Sequence, residues 1–117
     1  MTESIREKQS RFALGVARLI QEAQKRGYQV TLGEAWRTIE QAALNAKSGS
    51  GTKNSLHCDR LAIDLNLFRD GKFLSTTEDH RELGEWWEGQ ASDHRWGGRF
   101  TRADGNHYSL TPDGRRA

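Results

Sequence analysis

Four side chains in two short stretches have the types and spacing for metal-assisted hydrolysis. In NSLHCDRLAIDLNLF, residues 54–68, His57 precedes Asp64 by seven positions. Strand interiors are poor in Asp, because a short charged side chain packs badly on a pleated surface. A histidine at the mouth of a strand and an aspartate inside it converge if the chain bends between them. Cys58-Asp59-Arg60 offers that bend. Imidazole nitrogen and carboxylate oxygen are both good zinc ligands. A third ligand is at hand in DGNHYSL, where Asp104-Gly105-Asn106 is turn chemistry and His107 opens the strand after it. The turn can fold Asp104 back towards His107, so that the histidine binds metal while the aspartate stays free as a base. Three protein ligands leave one position for water, the arrangement of hydrolytic zinc sites. Singly, each residue has a plainer reading. Asp64 could be a solvated carboxylate on the wet face of an antiparallel sheet, and His57 a surface or hydrogen-bonded histidine. The pairing favours the metal.

Other chemistry is less well supported. His80 and His94 have no partner at ligand spacing and read as solvated surface histidines. Glu85 and Glu88 read as solvated too. HExxH is absent, as are a P-loop and a dinucleotide glycine fingerprint. The single cysteine, Cys58, excludes an internal disulfide and a Cys-rich zinc site within one chain. Extended backbone would turn its side chain away from that of His57, and it reads as a buried small residue.

The elements that must position these residues follow from periodicity. Residues from about Thr2 to Arg26 read as an amphipathic helix, with Ile5, Phe12, Val16, Leu19, Ile20 and Ala23 at three- and four-residue steps and Gly27 as the stop. Tyr28 to Trp36 reads as a strand with Tyr28, Val30 and Leu32 on one face. A second helix is expected from about Thr38 to Ala46, followed by the Gly- and Ser-rich loop KSGSGTKNS. From Leu61 to Phe68 the chain alternates: Leu61, Ile63, Leu65 and Leu67 face one way, Ala62, Asp64 and Asn66 the other. RDGK (Arg69 to Lys72) is a hairpin turn, with Phe73 and Leu74 beginning the return strand. Thr77 is placed to cap a third helix through about Glu88, in which Trp86 and Trp87 read as core and interface anchors. RWGGRF reads as a turn around Gly97 and Gly98, and His107 to Leu110 as a short final strand. Helices with short antiparallel strands give an α+β class.

Residues 1–117 are expected to form a single domain. Apolar content of 34% against 29% charged implies a small core and a polar surface. Lys and Arg total 18 against 16 Asp and Glu, a net charge of +2 that is too mild to name nucleic acid as a partner. The charged start MTESIREKQSRF has no signal-peptide run, and no stretch approaches the roughly 20 apolar residues of a membrane span. Synthesis in the cytosol, no stable membrane association and a monomer are therefore expected. Arg115 and Arg116 form a short basic tail, a weak envelope anchor or nothing.

Four segments in order resemble the zinc peptidases that cut bacterial cell-wall peptides. SLHCDRLAID resembles their S-x-H-x(6)-D segment and DGNH their acidic-x-x-His segment. AWRTIEQ is similar to an upstream strand and helix with an Arg and, four residues later, a Gln, and WGGRF to the W-G-G of the phage-endolysin branch. The family joins D-alanyl-D-alanine carboxypeptidases, vancomycin-resistance dipeptidases and L-alanyl-D-glutamate endolysins. The resemblance implies a Hedgehog/DD-peptidase-like fold, a small antiparallel sheet with helices packed around it and the zinc site at the sheet. It implies Zn2+ held by His57, Asp64 and His107, with Asp104 as general base and acid and Arg37 stabilising the oxyanion. Ser55 would shape the loop presenting His57, Gln41 would orient Arg37, and Trp96 would line the cleft. The implied partner is the peptidoglycan stem peptide, cut between L-alanine and D-glutamate by a phage-type endolysin that waits in the host cytoplasm until released to the wall. A D-alanyl-D-alanine carboxypeptidase and a non-catalytic zinc-binding module of the same fold are the alternatives. Two departures stand out. Many relatives have Gly where this chain has Arg60, which implies a different path after His57. Many also have Glu where it has Asp104, and Asp is the endolysin form.

Overall fold

The computed structural model describes residues 3–36, 38–48 and 56–111. Helix α1 spans Ile5–Lys25. It begins later than Thr2 because Ser4 caps it: the Ser4 hydroxyl accepts from Glu7 N–H at 3.1 Å, and the Glu7 carboxylate accepts from Ser4 N–H at 2.9 Å. Phe12, Gly15, Leu19 and Ala23 form its buried stripe, whereas Ile5 is exposed. Gly27, at φ +91°, turns the chain out of the helix.

Strand β1, Gln29–Leu32, is shorter than the sequence suggests, and Leu32 is exposed at its end. Helix α2, Ile39–Ser48, is capped by the Thr38 hydroxyl, which accepts from Gln41 N–H at 3.0 Å. Strand β2, Ala62–Arg69, is the centre of the sheet. Its expected alternation holds for Leu61, Ile63, Leu65 and Leu67, all buried, but Ala62 is buried as well. The tight turn at Asp70 (φ 52°) and Gly71 (φ 76°) leads into β3, Lys72–Leu74. Two successive positive φ values are the signature of a type I′ hairpin.

A 3-10 turn at Glu78–His80 leads into α3, Arg81–Glu88. The cap is one residue earlier than expected. Thr76, not Thr77, exchanges hydrogen bonds with Asp79: Asp79 N–H to the Thr76 hydroxyl at 3.1 Å and Thr76 N–H to the Asp79 carboxylate at 3.2 Å. The segment read as a turn from Arg95 onward instead contains strand β4, His94–Trp96, followed by a 3-10 turn at Gly97–Arg99. Strand β5 is His107–Leu110.

All pairings are antiparallel, in the order β1-β2-β5-β4 with β3 also on β2. Strand β1 takes one edge of β2; β5 pairs with Ala62–Asp64 and β3 with Leu67–Arg69 on the other. The core gathers around Trp87, whose indole N–H is shared between the Arg95 and Ser109 carbonyls at 3.1 Å each. Phe12 of α1 and Tyr108 of β5 meet its ring edge-on. His94 stacks flat on it at 3.7 Å and 15°. The core is thus held between the helices and one sheet face, which leaves the face of Asp64 and His107 for chemistry. Among the described residues no helix is long and apolar enough to cross a membrane.

Candidate metal centre

His57, Asp64 and His107 come together, and each arrives by a different device. His57 lies on a 3-10 turn, Leu56–Asp59, closed by Leu61 N–H to Leu56 C=O at 3.0 Å. The Gln9 amide of α1 holds this turn by donating to the Asp59 carbonyl at 2.8 Å. Arg60 then takes φ +58°, the left-handed conformation that Gly adopts without strain. The path after His57 is therefore the one glycine would take, reached here by a side chain at some cost.

Asp64 is fixed by backbone on both sides. Its N–H donates to Glu34 C=O at 2.9 Å and its C=O accepts from Gly33 N–H at 2.7 Å. Across the other edge, Leu65 N–H donates to Asn106 C=O at 3.0 Å. Register does the rest: Asp64 is paired with His107, and directly opposed residues in antiparallel strands share a face.

The turn carrying Asp104 is clamped from three sides. Asp104 N–H donates to Gly97 C=O at 2.9 Å, and a Cβ at Gly97 would collide with the Asp104 carbonyl. Gly105 packs on the Thr77 backbone, and its carbonyl accepts the Trp96 indole N–H at 2.7 Å. Trp96 is completely buried, so it does not line a cleft as expected. Its ring is flanked by Gly84 and Gly98, neither of which has room for a side chain. The W-G-G segment is thus a mount for the Asp104–His107 turn.

At the centre, His57 Nε2 lies 3.3 Å and His107 Nδ1 3.7 Å from Asp64 Oδ1. One ligand atom from each of the three lies within 4.8 Å of the others. A tetrahedral zinc with bonds of about 2.0–2.2 Å needs donor atoms roughly 3.3–3.6 Å apart. Both imidazoles are buried and meet edge to face, with ring centres 5.1 Å apart. Asp64 Oδ1 is itself buried and makes no hydrogen bond of good geometry among the described residues. An orphaned carboxylate oxygen between two ring nitrogens is a donor set that fits a cation. Burial pushes the Asp64 carboxyl up, but the facing edges of His107 and His57 outweigh it and hold it at about 2. Asp64 is therefore anionic at neutral pH, as a ligand must be.

Asp104 Oδ2 is 4.0 Å from His107 Nδ1, and its side chain is half-exposed. It is beside the trio and open to solvent. Glu34 is also close, its Oε1 3.8 Å from His57 Nδ1. Sequence reasoning missed it, because only the pairing of the chain after β1 with β2 brings it there. Gln41 is exposed on the first turn of α2. Arg37, Ser55, the Gly- and Ser-rich loop between 49 and 55, and Arg115 and Arg116 lie outside the described residues. Cys58 is half-buried rather than buried as expected, its Sγ 3.7 Å from Thr38 C=O.

His80 and His94 are not the surface residues expected. Both are buried, His80 with Nδ1 2.7 Å from the Tyr108 hydroxyl and His94 with Nδ1 3.0 Å from Trp87 C=O. Burial pushes both rings down, His80 to about 4.

The profile of a family described as D-alanyl-D-alanine carboxypeptidase matches residues 48–110, which hold His57, Asp64, Asp104 and His107. The crystal structure of the Serratia marcescens L-Ala D-Glu endopeptidase ChiX is similar in fold, with a TM-score of 0.66. The two chains are 22% identical, and the match covers 81% of this chain and 77% of that one. No curated protein sequence matches the chain.

Proposed function

The chain belongs to the D-alanyl-D-alanine carboxypeptidase family of zinc metallopeptidases, and from that premise we propose that it cuts peptidoglycan stem peptides between L-alanine and D-glutamate. The convergence of His57 Nε2, Asp64 Oδ1 and His107 Nδ1 carries the reading. These three would hold Zn2+, which when bound polarises a carbonyl and brings the pKa of its water to roughly 7. Asp104, beside them and solvent-accessible, accepts the proton of the attacking water and returns it to the leaving amine. Arg37 is assigned to the oxyanion on the resemblance alone. The choice of bond rests on Asp rather than Glu at 104 and on the similarity in fold to ChiX, an L-Ala D-Glu endopeptidase. Within this reading the protein is a phage-type endolysin, reaching the wall from the host cytoplasm.

The family description favours one second reading, release of terminal D-alanine. Defined stem peptides analysed by mass spectrometry separate the two. A new D-glutamyl amine supports the proposal; free D-alanine alone overturns it. His57→Ala, Asp64→Ala and His107→Ala are expected to lose both zinc and activity. Asp104→Ala is expected to keep zinc, by elemental analysis, and to lose about 10²–10⁴-fold in rate. Loss of the metal from Asp104→Ala would show that the division between ligand and base is wrong.

A further inference from the structure

The two nitrogens of His57 face different carboxylates. Nε2 is turned to Asp64 Oδ1 at 3.3 Å, in the trio, while Nδ1 is turned to Glu34 Oε1 at 3.8 Å. Opposite edges of one imidazole point in different directions, so Glu34 stands behind the ring and outside the ligand set. Its place is not accidental to the fold. The backbone of Gly33 and Glu34 continues β1 alongside β2 through the two hydrogen bonds to Asp64, so the same main chain fixes Asp64 and delivers Glu34 to His57. The ring is almost fully buried, while the Glu34 side chain is about one-third exposed, at 35%. The Glu34 carboxylate thus faces the outer nitrogen of a ring that the fold holds in place.

We propose that Glu34 is a positioning residue: its carboxylate accepts the His57 Nδ1–H and so keeps the lone pair on Nε2, aimed at the metal. An imidazole that ligates through one nitrogen carries its proton on the other, and a carboxylate there fixes tautomer and ring orientation and raises ligand basicity. This rests on the reading of the trio as a zinc site, and the two are tested separately.

The experiment measures two quantities at neutral pH on the full chain, for wild type, Glu34→Ala, Glu34→Gln and Glu34→Met. The first is zinc affinity by competition with a chromophoric chelator. The second is the His57 tautomer in metal-free protein, from long-range ¹H–¹⁵N correlations. Glu34→Ala is expected to bind zinc about 10–100-fold more weakly. Its metal-free spectrum should shift from the Nδ1–H form towards Nε2–H. Glu34→Gln retains an acceptor oxygen and should keep the tautomer and most of the affinity. Glu34→Met keeps length and packing without an acceptor and should follow Ala, which separates lost packing from the lost hydrogen bond. Unchanged affinity and tautomer in both Ala and Met overturn the proposal. So does weaker binding with the tautomer unmoved, since distant charge would then suffice. If wild type binds no zinc, the metal reading fails, and the tautomer comparison alone decides the role of Glu34.

Discussion

The ring of His80 is shut away from water, with its Nδ1 against the Tyr108 hydroxyl, and this sets a pH dependence. Burial holds it at about 4, below the 6.5 of an exposed ring. As pH falls, the unfolded chain therefore takes up the proton first, and stability drops between about pH 6.5 and 4. At pH 7 the ring is neutral in the folded state and mostly neutral in the unfolded chain, so the effect is small. The gap corresponds to a loss on the order of 3 kcal/mol. His80→Gln can keep a hydrogen bond to Tyr108 without the titration. Urea unfolding from pH 7 to 4 is expected to show a shallower decline for the variant than for wild type; identical curves would contradict this origin. Nothing in TEDHREL marks His80 as buried, because its cover comes from β5, far along the chain. The grouping of His57, Asp64 and His107 was legible for the opposite reason. Its residue types carry the chemistry, and Asp64 in a strand is conspicuous wherever the strand sits.

At the scale of elements, strand alternation predicted which face of β2 is greasy and left Asp64 on the other, but short elements escaped. Strand β4 is three residues beside two glycines and carries too little pattern to be seen. Its alternation, with His94 and Trp96 in and Arg95 out, emerges only against β5. Two elements make distinct predictions. The turn after His57 passes through Arg60 in the left-handed region, with its guanidinium 5.0 Å from the Trp36 ring. Arg60→Gly and Arg60→Ala both lose that contact, but only Gly relieves the backbone. Gly is expected to be the more stable of the two by about 1 kcal/mol in thermal or urea unfolding. Equal stabilities would mean that the conformation costs nothing. The mount under Asp104 depends on the Trp96 indole N–H reaching Gly105 C=O. Trp96→Phe leaves that buried carbonyl without its donor and should cost about 1–3 kcal/mol. It should also slow hydrolysis, because the turn that carries Asp104 and His107 loses its support. A variant with full activity would show that Asp104 needs no such support.

Across the whole molecule, the site joins parts that are far apart in sequence: the turn at Leu56–Asp59, the middle of β2 and the start of β5. Binding a cation there adds a link between them that the unfolded chain lacks. Register and turn geometry set the two imidazoles and the Asp64 carboxylate facing one another, so binding a cation among them is expected to stabilise the fold. For one site, free zinc at a thousand times Kd contributes about 4 kcal/mol. In a domain of this size that raises Tm by about 10–20 °C. Excess chelator should return the transition to its metal-free position, still cooperative, since the hydrophobic core around Trp87 lies on the other face of the sheet. Asp64→Ala should melt at the same temperature with zinc or with chelator, which excludes stabilisation by zinc bound elsewhere on the surface. A wild-type transition that zinc fails to move would show that the three side chains meet without holding a metal.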